Sequence, residues 1–217
     1  MFQRTCLLFL LVTCFAGQAM AQNRFETTYA LGPTLKIVQS RLSFNSAVVN
    51  VPDSEPEVGY QLGTFFRARV NNLYVQPELL FSRTQNALIF NDHDGIMGFN
   101  PRAEFEFTSI EIPIAIGYFY ENLRFETGPA VSVLLEAEEF FLNVREKVTD
   151  HYNKVSLQYR FGVGADFNNV FFNLSYEIGL SKTGESLRQI VGRNFQPKRS
   201  QWAFSISLAL HRYKMRQ

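Results

Sequence analysis

Hydrophobic and polar residues alternate with a period of two along most of the chain, and this alternation recurs in eight segments. A period of two is typical of a β-strand, because successive side chains point to opposite faces of the sheet. The sequence therefore predicts an all-β fold with eight strands. The large apolar residues form one face of each strand: Tyr29, Leu31, Leu35 and Ile37; Val58, Tyr60, Leu62, Phe66 and Ala68; Leu73, Val75, Leu79 and Phe81; Ile110, Ile112, Ile114, Ile116 and Tyr118; Leu123, Phe125, Val131, Val133 and Leu135; Leu157, Tyr159, Phe161, Val163 and Phe167; Val170, Phe172, Leu174, Tyr176, Ile178 and Leu180; Trp202, Phe204, Ile206, Leu208 and Leu210.

The connections between these strands alternate between short and long. Asn71-Asn72, Glu121-Asn122 and Asn168-Asn169 are predicted tight turns, because Asn tolerates the left-handed backbone that such hairpins need. The other links are long and polar, near residues 39–57, 84–104, 138–154 and 183–199. This pattern predicts an eight-stranded antiparallel transmembrane β-barrel with short periplasmic turns and four long extracellular loops.

A soluble β-sandwich also has one apolar and one polar face, so the composition of the second face decides between the two folds. That face carries Gly, Ala and Ser with a few Arg, Glu and Gln, which suits the inside of a narrow barrel. The predicted strands are long enough for a tilted crossing of ~9–11 residues. All six lysines are predicted to lie outside the central strand segments, at Lys36, Lys147, Lys154, Lys182, Lys198 and Lys214.

Aromatic residues make up 15% of the chain. Their positions predict two girdles of aromatic side chains, one at each membrane–water interface. The group predicted near the tight turns comprises Tyr74, Tyr118, Tyr120, Phe125, Phe167 and Phe172. The group predicted toward the long loops comprises Tyr60, Phe81, Tyr159, Trp202 and Phe204.

Some residues conflict with regular strands. Four prolines fall within predicted strands; a β-bulge is one way to accommodate each of them, and the sequence does not decide how it is done. They are Pro33, Pro77, Pro113 and Pro129. Phe105 and Phe107 are out of phase with the apolar positions from Ile110 onward, which predicts a bulge or a non-membrane extension near Thr108.

The first 21 residues predict an export signal rather than part of the fold. Arg4 precedes a short apolar run, and Ala19-Met20-Ala21 is a cleavage site of the A-x-A type, so the barrel domain is predicted to span residues 22–217. Both cysteines lie in this signal, which excludes a disulfide or a cysteine metal site in the mature domain. Lipidation at Cys14 is the alternative interpretation of the segment. Without Arg4 the chain has 20 basic and 20 acidic residues, so no basic surface for nucleic acid is expected.

Several short motifs occur in an order that resembles the PorT-like outer-membrane β-barrel domain family. They are Gly59 to Phe66, Leu73 to Ser82, Ile110 to Pro113 with Gly117-Tyr118, Gly128-Pro129-Ala130, Gly162-Val163-Gly164 and Tyr176 to Leu180. The resemblance implies a membrane barrel and makes the strand prolines family features. It implies no single activity, although some members resemble parts of a protein secretion system.

Seven charged residues are predicted to face the interior: Arg67, Glu78, Glu111, Arg124, Glu126, Arg160 and Glu177. An eight-stranded barrel leaves little lumen, so these groups must pair or each cost several kcal/mol. The main interpretation is a structural ion-pair network that plugs the barrel. A gated pore or a proton path is the alternative.

No catalytic, metal or cofactor site is predicted. The histidines of the mature chain, His93, His151 and His211, have no suitably spaced nucleophile. Ser207 is predicted to lie on the same face as His211, but two strand steps put the two side chains too far apart for a hydrogen bond. The segment Asn91–Gly95 departs from the calcium loop of an EF-hand.

The predicted function is therefore a non-enzymatic, monomeric barrel in the outer membrane. Its wall contacts lipid, and its loops bind a ligand, a surface polymer or a partner protein. An accessory role in a secretion or transport assembly is the alternative, and an outer-membrane lipid hydrolase is the third hypothesis.

Overall fold

The fold is a single closed antiparallel β-sheet. The computed structural model describes residues 26–44, 53–89, 102–141, 144–149, 153–181 and 197–216. The predicted signal peptide, residues 1–21, lies outside this part of the chain. The strands are β1 (Glu26–Phe44), β2 (Asp53–Val70), β3 (Leu73–Ile89), β4 (Arg102–Tyr120), β5 (Leu123–Phe141), β6 (Val144–Lys147), β7 (Val155–Phe167), β8 (Val170–Gly179), β9 (Pro197–Leu208) and β10 (His211–Arg216). Across the described ranges, no helix is both long and apolar enough to cross a membrane.

Eight strands form the barrel wall, as predicted, because β9 and β10 are two halves of the last strand and β6 is a short addition beside β5. β1 closes the barrel by pairing with β2 on one side and with β9 and β10 on the other. A path that crosses from each residue to its paired residue on the next strand, once around the barrel, returns to β1 ten residues further along the chain. Its residues are Tyr29, Ala68, Val75, Ile116, Thr127, Phe161, Tyr176, Trp202 and Gln39. A stagger of this kind requires strands tilted by roughly 35–45° to the barrel axis.

The three predicted hairpin turns are present at one end of the barrel, here called the turn end; the opposite end is the loop end. The first residue of each turn has a positive φ angle: 54° at Asn71, 55° at Glu121 and 51° at Asn168. The middle turn therefore places Glu121, rather than the neighbouring Asn122, in the left-handed conformation. This conformation costs a non-glycine residue free energy, least for Asn.

The predicted division of side chains between the two faces is confirmed along all eight barrel strands. The large apolar residues form an exposed belt around the outside, and the Gly, Ala, Ser and charged residues point inward. Two predictions about individual residues were wrong. Tyr74 lies inside the barrel rather than in a girdle, and Lys36 is buried in the middle of β1 between the outward-facing Leu35 and Ile37.

The prolines are accommodated in two ways. Pro33 faces a bulge, since Leu31 pairs with His211 but Thr34 pairs with Ser207, which leaves an extra residue on the last strand. Pro77, Pro113 and Pro129 cause no register shift; instead, two adjacent pairs are missing from the ladder beside them. A bulge thus accommodates Pro33, whereas the other three prolines are accommodated by missing ladder pairs.

Five strands extend well beyond the length that a membrane crossing requires. β1, β4 and β5 have 19 residues each, β2 has 18 and β3 has 17. A crossing takes ~9–11 residues, so the excess is roughly 20 Å of tilted strand at the loop end. We call this extension, together with β6, the loop-end wall. Three of the predicted loops are correspondingly shorter, because much of residues 39–57, 84–104 and 138–154 is strand.

Phe105 and Phe107 line the inner face of this wall, buried and stacked with ring centroids 6.5 Å apart. They keep the inward phase of Ser109 and Glu111, so their strand is regular. The predicted bulge is present beside Thr108, but its extra residue is Leu135 on the neighbouring β5.

Candidate functional site

The interior of the barrel is filled by polar and charged side chains. All seven residues predicted to face the lumen are buried there. Three further charged residues join them: Lys36 and Arg199 are buried, and Asp166 has a side chain only 9% exposed. Their strand phase places all three inward, because Lys36 lies between the outward-facing Leu35 and Ile37, Asp166 precedes the outward-facing Phe167, and Arg199 is two residues before the buried Gln201. Arg199 lies before the start that the sequence predicts for the last strand, because β9 begins at Pro197, and Lys36 lies where the sequence predicts no lysine.

One group of ion pairs occupies the middle of the lumen. Lys36 Nζ lies 2.5 Å from Glu78 Oε2, and Arg160 reaches the same oxygen at 3.5 Å. Arg160 also pairs with Glu177 at 2.7 Å, and Gln201 Nε2 donates a hydrogen bond to the other oxygen of Glu177 at 2.6 Å. Each carboxylate therefore has at least two donors, which offsets the cost of removing it from water.

A second group lies toward the turn end. Asp166 accepts from both Arg67, at 2.6 Å, and Arg124. Glu126 accepts from the Tyr74 hydroxyl at 2.7 Å and has Arg124 Nε at 3.6 Å. The buried hydroxyl of Tyr74 thus has an ionic partner, which explains why this tyrosine points inward.

Gln76 connects the two groups. It accepts from Arg67 Nε at 2.6 Å and donates to Glu78 Oε1 at 2.7 Å. Side-chain polar contacts therefore run without a break from Tyr74 to Gln201 along the lumen. A smaller cluster near the loop end joins Arg199 to Glu111 at 2.7 Å, with Gln61 donating to Glu111 at 2.8 Å.

The charges in this network balance. Its five cations are Lys36, Arg67, Arg124, Arg160 and Arg199, and its five anions are Glu78, Glu111, Glu126, Asp166 and Glu177. The packing around it is tight: a Cβ on Gly117 would lie 2.3 Å from the Tyr74 ring, and one on Gly164 would lie 2.6 Å from Arg124 Cζ. The glycines of the inner face make room for the large charged and aromatic groups.

The loop-end wall carries its own ion pairs in a more exposed setting. Arg83 pairs with Glu106, and Arg145 on β6 pairs with Glu138 on β5. Lys147 Nζ lies 2.5 Å from Glu136 Oε1, and its hydrogen bond holds the pKa of that carboxyl below its usual range. A cavity of about 110 Å³ opens between Glu57, Glu106 and Phe140.

The structure changes the argument about His211. The bulge opposite Pro33 reverses the phase of the last strand, so His211 faces outward while Ser207 is buried inside and donates to the Thr34 hydroxyl at 2.7 Å. The prediction that these two residues share a face was wrong. His93, His151 and the segment Asn91–Gly95 lie outside the described residues. Within those residues, no group of three metal-ligating side chains is gathered.

A sequence model of the outer membrane protein beta-barrel domain matches residues 17–185, which is most of the chain. The chain belongs to this family. As an outer membrane protein of the beta-barrel domain family, it resides in the outer membrane, in agreement with its apolar belt and closed sheet. No curated protein is significantly similar to it.

Solved structures with a similar fold include other outer membrane barrels, at low sequence identity. Neisserial surface protein A is 11% identical, with 84% of this chain and 97% of that chain covered and a TM-score of 0.48. OprG from Pseudomonas aeruginosa is 12% identical, with 89% and 97% covered and a TM-score of 0.39. The N-terminal barrel of OprF from the same organism is 13% identical, with 81% and 97% covered and a TM-score of 0.33.

Proposed function

We propose that this outer membrane barrel is a non-enzymatic anchor that presents a binding surface on its loop-end wall and conducts no solutes. The observation that carries the proposal is the contrast between the two parts of the molecule. The lumen is filled by a charge-balanced network, whereas five strands continue about 20 Å past the crossing length. A strand extension of this size is better explained by binding outside the membrane than by transport through it.

Planar-bilayer conductance tests the closed lumen. The wild-type barrel is expected to give no current steps, because buried, paired side chains fill the lumen in the described part of the chain. A variant with Lys36→Ala and Arg160→Ala removes two large buried side chains from the ion-pair group around Glu78 and Glu177 and is expected to give small steps. Stable steps from the wild type would favour the gated-pore alternative.

Site-specific photo-crosslinking in intact cells tests the binding surface. A photoreactive residue at Val144, which is 64% exposed on β6, is expected to give a discrete adduct with a surface polymer or protein. The matched control is the same residue at Leu174, which is 46% exposed within the lipid-facing belt and should give no such adduct. Identical patterns at the two positions would contradict the proposal.

The alternative is an accessory component of a secretion or transport assembly, and the resemblance to PorT-like barrels supports it. The same crosslinking experiment distinguishes this alternative from a barrel that binds a surface ligand. For an assembly component the adducts contain large proteins that co-purify as one complex, and deletion of the gene impairs export. The remaining hypothesis, a lipid hydrolase, is dropped if His93→Ala, His151→Ala and His211→Ala all leave the lipid composition unchanged.

A further inference from the structure

The turn end of the barrel contains a basic cup that the network in the lumen does not account for. A cavity of about 260 Å³ opens there, bordered by four cations, Arg67, Arg69, Arg212 and Lys214, and two anions, Glu26 and Asp166. The rings of Phe119 and Phe171 also line it. This site lies at the opposite end from the loop-end wall and is independent of the function proposed there.

The bulge opposite Pro33 brings two of these cations into the cup. Along β9 the even-numbered residues face outward, and an unbroken strand would direct Arg212 and Lys214 toward lipid. After the bulge the phase is reversed, so that Arg212 pairs with the inward-facing Ala30 and Lys214 with Thr28. The local backbone irregularity therefore determines the charge of the cup.

In the described part of the chain, two of the four cations form no ion pair with a carboxylate. Asp166 is shared between Arg67 and Arg124, and Lys214 pairs with Glu26. Among the residues that the structure describes, neither Arg69 nor Arg212 has a carboxylate oxygen within ion-pair distance. The cup therefore carries about two uncompensated positive charges.

Both arginines are held in place by groups that leave part of each guanidinium available. Arg69 Nε donates to the Asn71 carbonyl at 2.5 Å, and its guanidinium lies 3.9 Å from the centre of the Phe119 ring. Arg212 donates to the Asn168 carbonyl at 3.1 Å, and its guanidinium lies 5.8 Å from the Phe171 ring centre. Carbonyls of two hairpin turns and the rings of Phe119 and Phe171 thus hold the two guanidinium groups before any ligand binds, which lowers the entropic cost of binding.

We propose that this cup binds a phosphoryl group that enters from the turn-end side. A phosphate monoester carries about −1.5 to −2 charges at neutral pH, which matches the uncompensated charge, whereas a phosphodiester headgroup carries a single negative charge and matches it in part. Its oxygens suit the forked donors of two guanidinium groups, and the cavity has room for a phosphate or pyrophosphate. The group comes from a small phosphorylated solute or from a phospholipid headgroup, since both present phosphoryl oxygens to the two guanidinium groups.

Calorimetric titration with pyrophosphate tests the proposal, using the full-length barrel in dodecyl maltoside micelles, which contain no phosphate. Arg69→Gln and Arg212→Gln are each expected to weaken binding about tenfold or more, because each removes charge-assisted hydrogen bonds. Arg83→Gln, which removes a cation at the loop end, is the matched control and should leave the affinity unchanged. A heat-dependent shift in gel mobility verifies that each variant is folded.

Phosphatidylglycerol added to the micelles distinguishes the two sources. It displaces pyrophosphate if the natural ligand is a headgroup and leaves the titration unchanged if it is a free solute. Absence of pyrophosphate binding at millimolar concentration would overturn the proposal. So would equal affinities in the wild type and in both cup variants.

Discussion

Removing one member of the lumen network tests whether its charges are held in place by mutual pairing. Arg160 is the most informative position, because it is only 1% exposed and contacts both Glu177 and Glu78. Methionine at this position keeps much of the side-chain volume and removes the charge. The change isolates the electrostatic contribution from packing.

The expected loss in the free energy of unfolding depends on which partners the remaining charges keep. Loss of one partner from a buried ion pair typically costs 3–5 kcal/mol, roughly, because the other charge is left uncompensated. Glu78 retains Lys36 and Glu177 retains Gln201, so we expect the lower limit, about 3 kcal/mol, for Arg160→Met. For Glu177→Gln we expect about 2 kcal/mol, since Arg160 still contacts Glu78. The double variant leaves no stranded charge and should cost about 1–2 kcal/mol, well below the sum.

Reversible urea unfolding of the barrel in lipid vesicles measures these free energies. Since all the groups are buried, the differences should change little between low and high salt. An additive double variant, or a loss below about 1 kcal/mol for Arg160→Met, would refute the argument that pairing within the lumen stabilises the fold.

Three further predictions follow from the backbone, the outer belt and the packing of the inner face. Glu121→Asn should stabilise the barrel by about 0.5–1 kcal/mol in the same unfolding assay, because Asn tolerates a φ of 55° better, and a loss of stability would contradict this reading of the turn. Leu174→Arg places a charge in the lipid-facing belt and should lower the free energy of unfolding by roughly 2–4 kcal/mol. Val144→Arg on the exposed β6 should lower it by under about 0.5 kcal/mol. Equal effects would argue against this position of the belt. Gly117→Ala should lower the free energy of unfolding by about 1–3 kcal/mol through a clash with the Tyr74 ring, and by much less when Tyr74 is also replaced by Leu. An equal loss in both backgrounds would show that the effect arises in the backbone and not from the ring.

The strand faces could be predicted from the sequence because lipid and a narrow lumen impose opposite demands on size and polarity. Leu31, Leu35 and Ile37 face outward as the alternation indicates, and the glycines and serines face inward. The position of Tyr74 near a turn favours a girdle. Its strand phase was the better guide, since the hydroxyl has Glu126 as a partner inside.

The features that could not be predicted depend on contacts between strands. Nothing within β9 and β10 alone reveals that Pro33, distant in sequence, faces a bulge that turns Arg212 inward. The length of the loop-end wall was also missed, because the polar residues of β1 to β3 beyond the belt resemble loop residues when each segment is considered alone. In the loop-end wall these polar segments form strands because they pair with the neighbouring strands.

The ladder that closes the sheet joins β1 to β9 and β10, which are separated by most of the chain length. Before it forms, both strands present unpaired amide and carbonyl groups, each costing several kcal/mol in hydrocarbon. An unclosed sheet is therefore excluded from the bilayer centre. Insertion and closure must occur together, or another protein must cap the free edges until the last strand arrives.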